Sequence, residues 1–488
     1  MAVLIVNPDN GISKSPQLPM GPLYLATALD RSGYDVKVLD YSVDDVKASL
    51  EKHMGNADAV GFSVMTAQVK DALRLSDMIK ARDPSLPVIW GGVHPTLFPV
   101  QTVSDGSVDY VISEEGEKSI VQLAGYIQGK GGPGKIRGLV YKEGGKVRMN
   151  AVPPFIDLNE YSPPSWHLMK MERYIQHYVL GGDDFGRSLP VHSGRGCVYR
   201  CTFCINTGRR KWRPLSAENM MAEVRALTSK YDLDYIKFVD ENFFIDRKRV
   251  ADFSRLMAGK NLGVGWHAGG RANYFNEEHI NDELLDLMVK SGFRTFSMGV
   301  ESGSQRILDM IKKEIKVEDV IRAVKKCEEK GIKTVCSFMI GLPGEGQDDM
   351  LRTLHLIKEI KRISPRASII GPQVFRPYPG AELYAYTKKL GFKEPATLRG
   401  WCNVDLEGYT SARDLPWVKD PEFIDSISFY LSRSQFRPGG LARTMAERLF
   451  FKPLADFRIR YNIFGFPFEK KMFEFVKMKK AEMSRYDE

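Results

Sequence analysis

Three cysteines in one short loop, Gly194-Arg195-Gly196-Cys197-Val198-Tyr199-Arg200-Cys201-Thr202-Phe203-Cys204, carry the most direct chemistry in this sequence. They stand as C-x3-C-x2-C, with a basic, aromatic run behind them (Arg209, Arg210, Lys211, Trp212, Arg213). Thiolates are the ligands of iron–sulfur clusters, which normally take four of them. Three thiolates from one loop leave one iron open, and an open position distinguishes a catalytic metal site from a closed structural one. Zinc, with His192 as a fourth ligand, is a competing reading, although paired C-x2-C knuckles are the usual zinc pattern. A disulfide or inert buried thiols are the other. Cys327, Cys336 and Cys402 are scattered; the first lies in a helical pattern and the second in a strand pattern, as core residues do.

The triplet, with Phe203 before its last cysteine, resembles the signature of the radical SAM enzymes. That resemblance implies a [4Fe-4S] cluster on Cys197, Cys201 and Cys204, which are then both metal ligands and catalytic residues. The open iron of the family chelates the amino and carboxylate groups of S-adenosylmethionine (SAM). One electron then cleaves the sulfonium, and the 5′-deoxyadenosyl radical abstracts hydrogen from substrate.

Such a loop needs a scaffold. From Pro190 to about Glu394 strand and helix patterns alternate, and each strand carries a polar or glycine cluster at its C-terminal end. Tyr235–Val239 runs into Asp240-Glu241-Asn242, and Val264–Ala268 into Gly269-Gly270-Arg271. Thr295–Val300 runs into Glu301-Ser302-Gly303, Lys333–Ile340 into Gly341-Leu342-Pro343-Gly344-Glu345, and Ile369–Phe375 into Arg376-Pro377. That rim is where (β/α) barrels do chemistry. With the cysteine strand there are six units, the count of the partial (β/α)6 barrel that the resemblance implies. The rim residues suit SAM: Asp240 or Glu241 for its ammonium, Arg271 for its carboxylate, and Glu301 with Ser302 for the ribose. Gly341 and Phe375 would lie against the adenine, which the backbone of Phe203 also contacts in the family. The competing reading is that carboxylates at strand ends cap the next helix.

The first 150 residues alternate in the same way, with strands at Val3–Val6, Val36–Asp40, Ala59–Ser63, Val88–Gly92 and Tyr110–Ile112. The pattern predicts a doubly wound parallel sheet whose ligand lies at the strands' carboxyl ends. Gly91-Gly92-Val93-His94-Pro95-Thr96, then Asp109-Tyr110-Val111 and Glu115-Gly116-Glu117, resemble the Rossmann/flavodoxin-like cobalamin (B12)-binding domain ahead of the radical SAM core in class B methylases. The resemblance implies cobalamin at Asn7, Pro8, Ser63, Thr66, Gly91, Gly92, His94, Glu115 and Gly116. There is no Asp-x-His-x-x-Gly loop to supply a histidine to cobalt, a feature many radical SAM relatives share, so His94 joins the set as a loop residue rather than a cobalt ligand. Ile136–Val147 reads as a hairpin turning at Gly144-Gly145, followed by a proline-rich connector and a polar, mobile loop at Gly181-Gly182-Asp183-Asp184. The expected division is 1–150, a cobalamin-binding-like domain; 151–188, a linker; 189–394, the barrel; and 395–488, a mainly helical extension.

Composition bounds the rest. The chain has 488 residues and a formal charge of +9, which favours anionic partners. No apolar run is long enough to span a bilayer, and six cysteines behind no secretory leader predict a cytoplasmic, reducing setting. Trp401–Asp405 is a candidate substrate-facing loop. Arg437-Pro438-Gly439-Gly440 breaks the tail, and Leu441 to Lys480 interleaves basic residues with Phe450, Phe451, Phe457, Tyr461, Phe464, Phe466, Phe468, Phe473 and Phe475. That stretch suits a helical domain packed on the barrel, or peripheral contact with the inner face of the membrane; nucleic acid is not the expected partner. The function the resemblance implies is methylation of an unactivated carbon through a 5′-deoxyadenosyl radical and methylcobalamin, with an external electron donor (flavodoxin or ferredoxin) and a small-molecule, lipid or tetrapyrrole substrate. Alternatives are a radical SAM cyclase or oxidative rearrangement enzyme without methyl transfer, an RNA-modifying radical SAM enzyme, and a zinc-stabilised binding protein.

Overall fold

Short runs of β-branched and apolar residues separated by amphipathic helices build two sheets, one after the other along the chain. The structure is a computed structural model, and it describes all residues except 12–15, 181, 206–209, 261, 405–411, 435–450, 466 and 473–488. Expectations resting on Gly181, Arg209, Asp405, the break at 437–440, Phe450, Phe466, Phe473 and Phe475 fall outside the described residues.

The first sheet comprises β1 (Ala2–Asn7), β2 (Asp35–Asp40), β3 (Ala59–Ser63), β4 (Val88–Gly91), β5 (Tyr110–Ile112), β6 (Leu139–Glu143) and β7 (Lys146–Met149). Its order is β2-β1-β3-β4-β5-β6-β7. The first five are parallel, in the flavodoxin-like arrangement whose ligand crevice lies beyond the strands' carboxyl ends. β6 and β7 are the hairpin at Gly144-Gly145, added antiparallel at the edge. Two apolar cores cover the faces: Val3, Ile5, Leu23, Ile89 and Leu123 on one side, and Leu4, Val6, Val60, Phe62 and Trp90 on the other. The period-2 alternation along β1 thus feeds both cores.

The second sheet contains β8 (Gln176–Leu180), β9 (Asp183–Val191), β12 (Tyr235–Phe238), β13 (Gly265–Gly270), β14 (Phe293–Glu301), β15 (Lys333–Ile340) and β16 (Ser368–Val374). A two-stranded ribbon of β10 (Gly194–Arg195) and β11 (Arg213–Pro214) brackets the cysteine loop. The order is β16-β15-β14-β13-β12-β9-β8, with β9 and β12 to β16 parallel and β8 antiparallel at one edge. Six parallel strands with helices between them make the partial barrel.

Several local expectations change. Gly181–Asp184 is read from sequence as a mobile loop, yet Asp183 and Asp184 already belong to β9, because Lys333 reaches across to Asp183 (2.7 Å) and fixes the hairpin. The strand therefore begins ahead of residue 189. The proline-rich connector is extended but docked. Arg31 donates to the carbonyls of Glu160 and Pro163 (2.6 Å each), Tyr174 Oη donates to Asp40 (2.9 Å), and Trp166, Met169 and Met171 are buried. Trp401 does not face the barrel. It packs on Phe98 and His94 of the first domain, with Nε1 donating to Gln101 (2.7 Å). The helix Pro421–Arg433 instead buries Ile424, Ile427 and Tyr430 against the barrel side. No helix among the described residues is long and apolar enough to cross a membrane.

Candidate active site

β9 ends at Val191, and the chain then turns through His192, Ser193 and the β10 ribbon into the cysteines. Asp240, at the end of β12, locks this turn: it accepts from the Ser193 amide and hydroxyl (2.6 Å each), while Arg249 donates to the Ser193 carbonyl (2.7 Å). Burial pushes the Asp240 carboxyl up to about 6, against the pull of Arg249 and Ser193. Cys201 is buried, whereas Cys197 and Cys204 are partly open. Arg271, from the end of β13, points its guanidinium at Cys201 Sγ (3.7 Å) and lies 3.6 Å over the Tyr199 ring. A second nitrogen donates to the Lys313 carbonyl, and its buried Nε has no partner. Glu301 is a non-glycine residue at φ +69°, held by Lys313 Nζ at 2.8 Å. A residue kept in that sparsely populated region is over-determined by its surroundings, a feature that clusters at functional sites. Phe203 packs beside this pair, 5.7 Å from Lys313 Nζ.

A cavity of about 430 Å³ lies between the carboxyl edge of the first sheet and the cysteine loop. One wall is Ser63, Gly91, Gly92, Glu114, Glu115 and Gly116; the other includes His192, Arg195, Gly196, Ile205, Arg213 and Glu241. Gly92 sits at φ +97°, and a Cβ there would come within 2.8 Å of the Val64 amide nitrogen, so only glycine leaves this wall flat. Two arginines bridge the walls: Arg195 reaches Glu117 (2.7 Å) and Glu115 (3.4 Å), and Arg213 reaches Glu115 (2.5 Å). Burial holds His192 neutral, its pKa down to about 4, and leaves its Nδ1 without a partner against the cavity.

These observations test the implied cofactors. Three thiols in one loop beside a fixed cation suit an iron–sulfur cluster. The unpartnered Nε of Arg271 suits a carboxylate. The side-chain-free floor at Gly91 and Gly92 suits one face of a large flat ring.

Not every expected contact converges. Asn7 and Pro8 lie off the cavity: Asn7 donates to Asp40 (2.7 Å), and Gln68 donates to Asn7 Oδ1 (3.0 Å) and to the Pro8 carbonyl (2.8 Å). His94 is fully buried between Phe98 and Trp401, and its Nδ1 pairs with Thr66 Oγ1 (3.2 Å), which withdraws both residues from the ligand side. Asp240 is occupied by Ser193, so of the two acidic candidates Glu241 is the one on the cavity wall. Ser302 is spent on helix entry, its Oγ accepting from Ser304 N (3.1 Å) beside Thr353 Oγ1 (3.2 Å). Gly341 and Phe375 are roofed by Trp417, whose Nε1 donates to the Gly341 carbonyl (2.8 Å). Sequence reading missed Tyr199, Arg195, Arg213, Lys313 and Trp417. Arg195 and Arg213 stand in or next to the cysteine loop, and their carboxylate partners lie about 80 to nearly 100 residues earlier in the chain, so no local pattern pairs them.

Comparison with known proteins agrees with this geometry. Residues 191–357 match the Radical SAM superfamily and residues 13–124 match the B12 binding domain. Among curated proteins the chain is 32% identical to the "Uncharacterized methyltransferase PH0819" of Pyrococcus horikoshii, over 85% of this chain and 88% of that one. It is 26% identical to the cytidylyl-2-hydroxyethylphosphonate methyltransferase of Streptomyces wedmorensis, over 80% and 83%. It is also 27% identical to the anaerobic magnesium-protoporphyrin IX monomethyl ester cyclase of Rubrivivax gelatinosus, over 70% of this chain and 62% of that one. Among solved structures the cobalamin-dependent SAM radical enzyme OxsB superposes with a TM-score of 0.71 at 18% identity, over 88% of this chain and 66% of that one, a likeness of fold.

Proposed function

The chain belongs to the radical SAM superfamily, with a B12-binding domain ahead of the barrel, and from that premise we propose that it methylates an unactivated carbon of a small molecule. The observation that carries the reading is the cavity itself, walled by the ligand edge of the first sheet and by the cysteine loop. Two reactive groups must flank one carbon, and holding them there is the protein's contribution. When bound, the [4Fe-4S] cluster, SAM and cobalamin supply a one-electron cleavage of a sulfonium and a transferable methyl group.

The chain's own residues then have these tasks. Cys197, Cys201 and Cys204 hold the cluster. Arg271, pinned by the Lys313 carbonyl and stacked on Tyr199, donates to the SAM carboxylate. Glu241 accepts from its ammonium and Glu301 from its ribose. Gly91, Gly92, Gly116 and Ser63 bear the corrin face, and Arg195 and Arg213 keep the two walls in register. Trp417 and Phe155 exclude water from the flanks. A flavodoxin or ferredoxin supplies electrons in a cytoplasmic setting. Exposed Phe457, Tyr461 and Phe468 give the basic C-terminal region a surface for peripheral membrane contact. The domains divide near 150 and 394, with the barrel sheet starting at β8, ahead of the expected boundary at 188.

The cyclase relative supports a second reading, radical chemistry on a tetrapyrrole without methyl transfer. One experiment separates them. Anaerobically reconstituted protein with SAM and a reductant is expected to form 5′-deoxyadenosine, and Cys201→Ala is expected to abolish it with loss of bound iron. Methylated product that requires cobalamin supports methylation. Deoxyadenosine that forms alongside a cyclised, unmethylated product supports the cyclase, and retained turnover in Cys201→Ala defeats both.

A further inference from the structure

Alternation along the barrel strands leaves a second functional surface, distinct from the cavity against the first sheet. One set of residues, Ile236, Phe238, Trp266, Ala268, Phe296, Met298, Val300, Phe338 and Ile340, is buried under the helices. The opposite set is half-buried on the concave face: Lys237, His267, Gly269, Ser297, Gly299 and Ser337. Except for Lys237 and His267 these are small; the Glu301–Lys313 pair fills the space over Gly299, and the Tyr178 ring lies 5.9 Å from the His267 ring. Register places Lys237 beside His267, and Gly269 beside Ser297. Below them Tyr178 of β8 forms an aromatic floor with Phe185 and Tyr235, ring centroids 5.5 Å from each. Lys237 Nζ stands 5.0 Å from the Tyr178 ring centroid.

Lys237 is a cation without an anion. Among the described residues no carboxylate pairs with it, and burial alone lowers its pKa. His267 stays neutral at physiological pH, pushed down to about 4 by burial and then by Lys237. Its Nε2 lies 2.7 Å from Ser297 Oγ, while its Nδ1 is buried without a partner. If the Ser297 hydroxyl donates to Nε2, the Nδ1 proton is a donor with no acceptor. A half-buried ammonium with no carboxylate partner among the described residues, next to a neutral imidazole whose Nδ1 is unpartnered, is complementary to an oxyanion.

We propose that this concave face binds an oxyanion of the substrate (phosphate, phosphonate or carboxylate) through Lys237 and His267, with the Ser297 hydroxyl fixing the imidazole tautomer. Lys237 and His267 lie on β12 and β13 inside the barrel, below the strand ends that carry Glu241 and Arg271. The inference rests on the reaction proposed above in taking the rim as the reacting end.

The test is calorimetric titration of the full-length protein with n-butylphosphonate, with pentanoate, and with n-butyltrimethylammonium as a cationic control. Saturable one-to-one binding of an oxyanion, no binding of the ammonium, and affinity reduced about tenfold or more by Lys237→Met support the site. His267→Gln is expected to weaken binding several-fold. Preference for butylphosphonate marks a phosphorus oxyanion, and preference for pentanoate a carboxylate. The proposal is overturned if the wild-type protein binds neither anion, if the ammonium binds as well, or if Lys237→Met binds as wild type does, as it would were Lys237 merely stacked on Tyr178. Should Lys237→Met fail to fold, protection of Lys237 from acetylation by the bound oxyanion, read by peptide mass spectrometry, decides the same question. Neither readout uses iron or SAM, so failure here and failure to form deoxyadenosine are separate results.

Discussion

Gly92 shows how much a single backbone position decides. It sits in the left-handed region, and its missing side chain lets the turn after β4 close on Val64. Gly92→Ala adds both a dihedral penalty and an overlap with backbone, and is expected to cost about 2 kcal/mol in urea denaturation. It should also weaken cobalamin retention after reconstitution; an unchanged midpoint would mean that the turn relaxes freely. At this scale the sequence was readable where chemistry is local. The cysteine spacing and the glycine pair announce themselves. His94 did not, because its fate depends on Trp401, some 300 residues downstream, which packs over it.

Among single elements, the helix Ala217–Thr228 carries a titration of its own. Glu223 on that helix is fully buried against the connector, with Oε1 accepting from Ser162 Oγ (2.7 Å) and Oε2 unpartnered. Burial raises its pKa to about 8, with Ser162 opposing and Asp240 adding to the rise. The folded state therefore keeps a proton that the unfolded chain releases above its ordinary value of 4.5. Stability contributed by this group is present at low pH and declines as pH rises from about 4.5 to 8, by at most about 1.4 kcal/mol per pH unit. Glu223→Gln preserves the Ser162 contact and removes the ionisation. Its advantage in urea midpoint over wild type is expected to grow as pH rises from about 4.5 to 8; parallel pH profiles would refute the assignment. Strands such as β1, β3 and β4 were legible because each is a short apolar run ending in a polar residue or glycine, whereas β8 and the start of β9, which are polar, fell within the stretch read as linker. The connector was misread because prolines specify an extended backbone without saying what that backbone lies against.

For the whole molecule, the joint between the two sheets combines a continuous apolar core with a buried ion pair. Arg213 and Glu115 side chains are each only 13% exposed, and Glu115 also accepts from the Ile156 amide (3.1 Å). Removing Arg213 leaves Glu115 with only the longer contact from Arg195 (3.4 Å), so its buried charge loses most of its compensation. Arg213→Met is expected to lower stability by about 3 kcal/mol, and adding Glu115→Gln to recover part of the loss. Urea melts of the three proteins check both, and equal stability of all three would show that the walls are held by apolar contact instead.

The sequence alone determined the chemistry and the order of its carriers: a thiolate loop with one ligand short, a parallel sheet ahead of it, and six strands each ending in a polar cluster. Those follow from spacing and periodicity, which act over a few residues. Tertiary structure alone decided which strand-end residues reach a ligand. Asp240, Ser302, Asn7 and Thr66 are held by protein partners away from the cavity, while Glu241 and Gly92 line it and Arg271 keeps one buried nitrogen unpartnered, because a polar side chain's free valence depends on neighbours that only folding brings within hydrogen-bond distance.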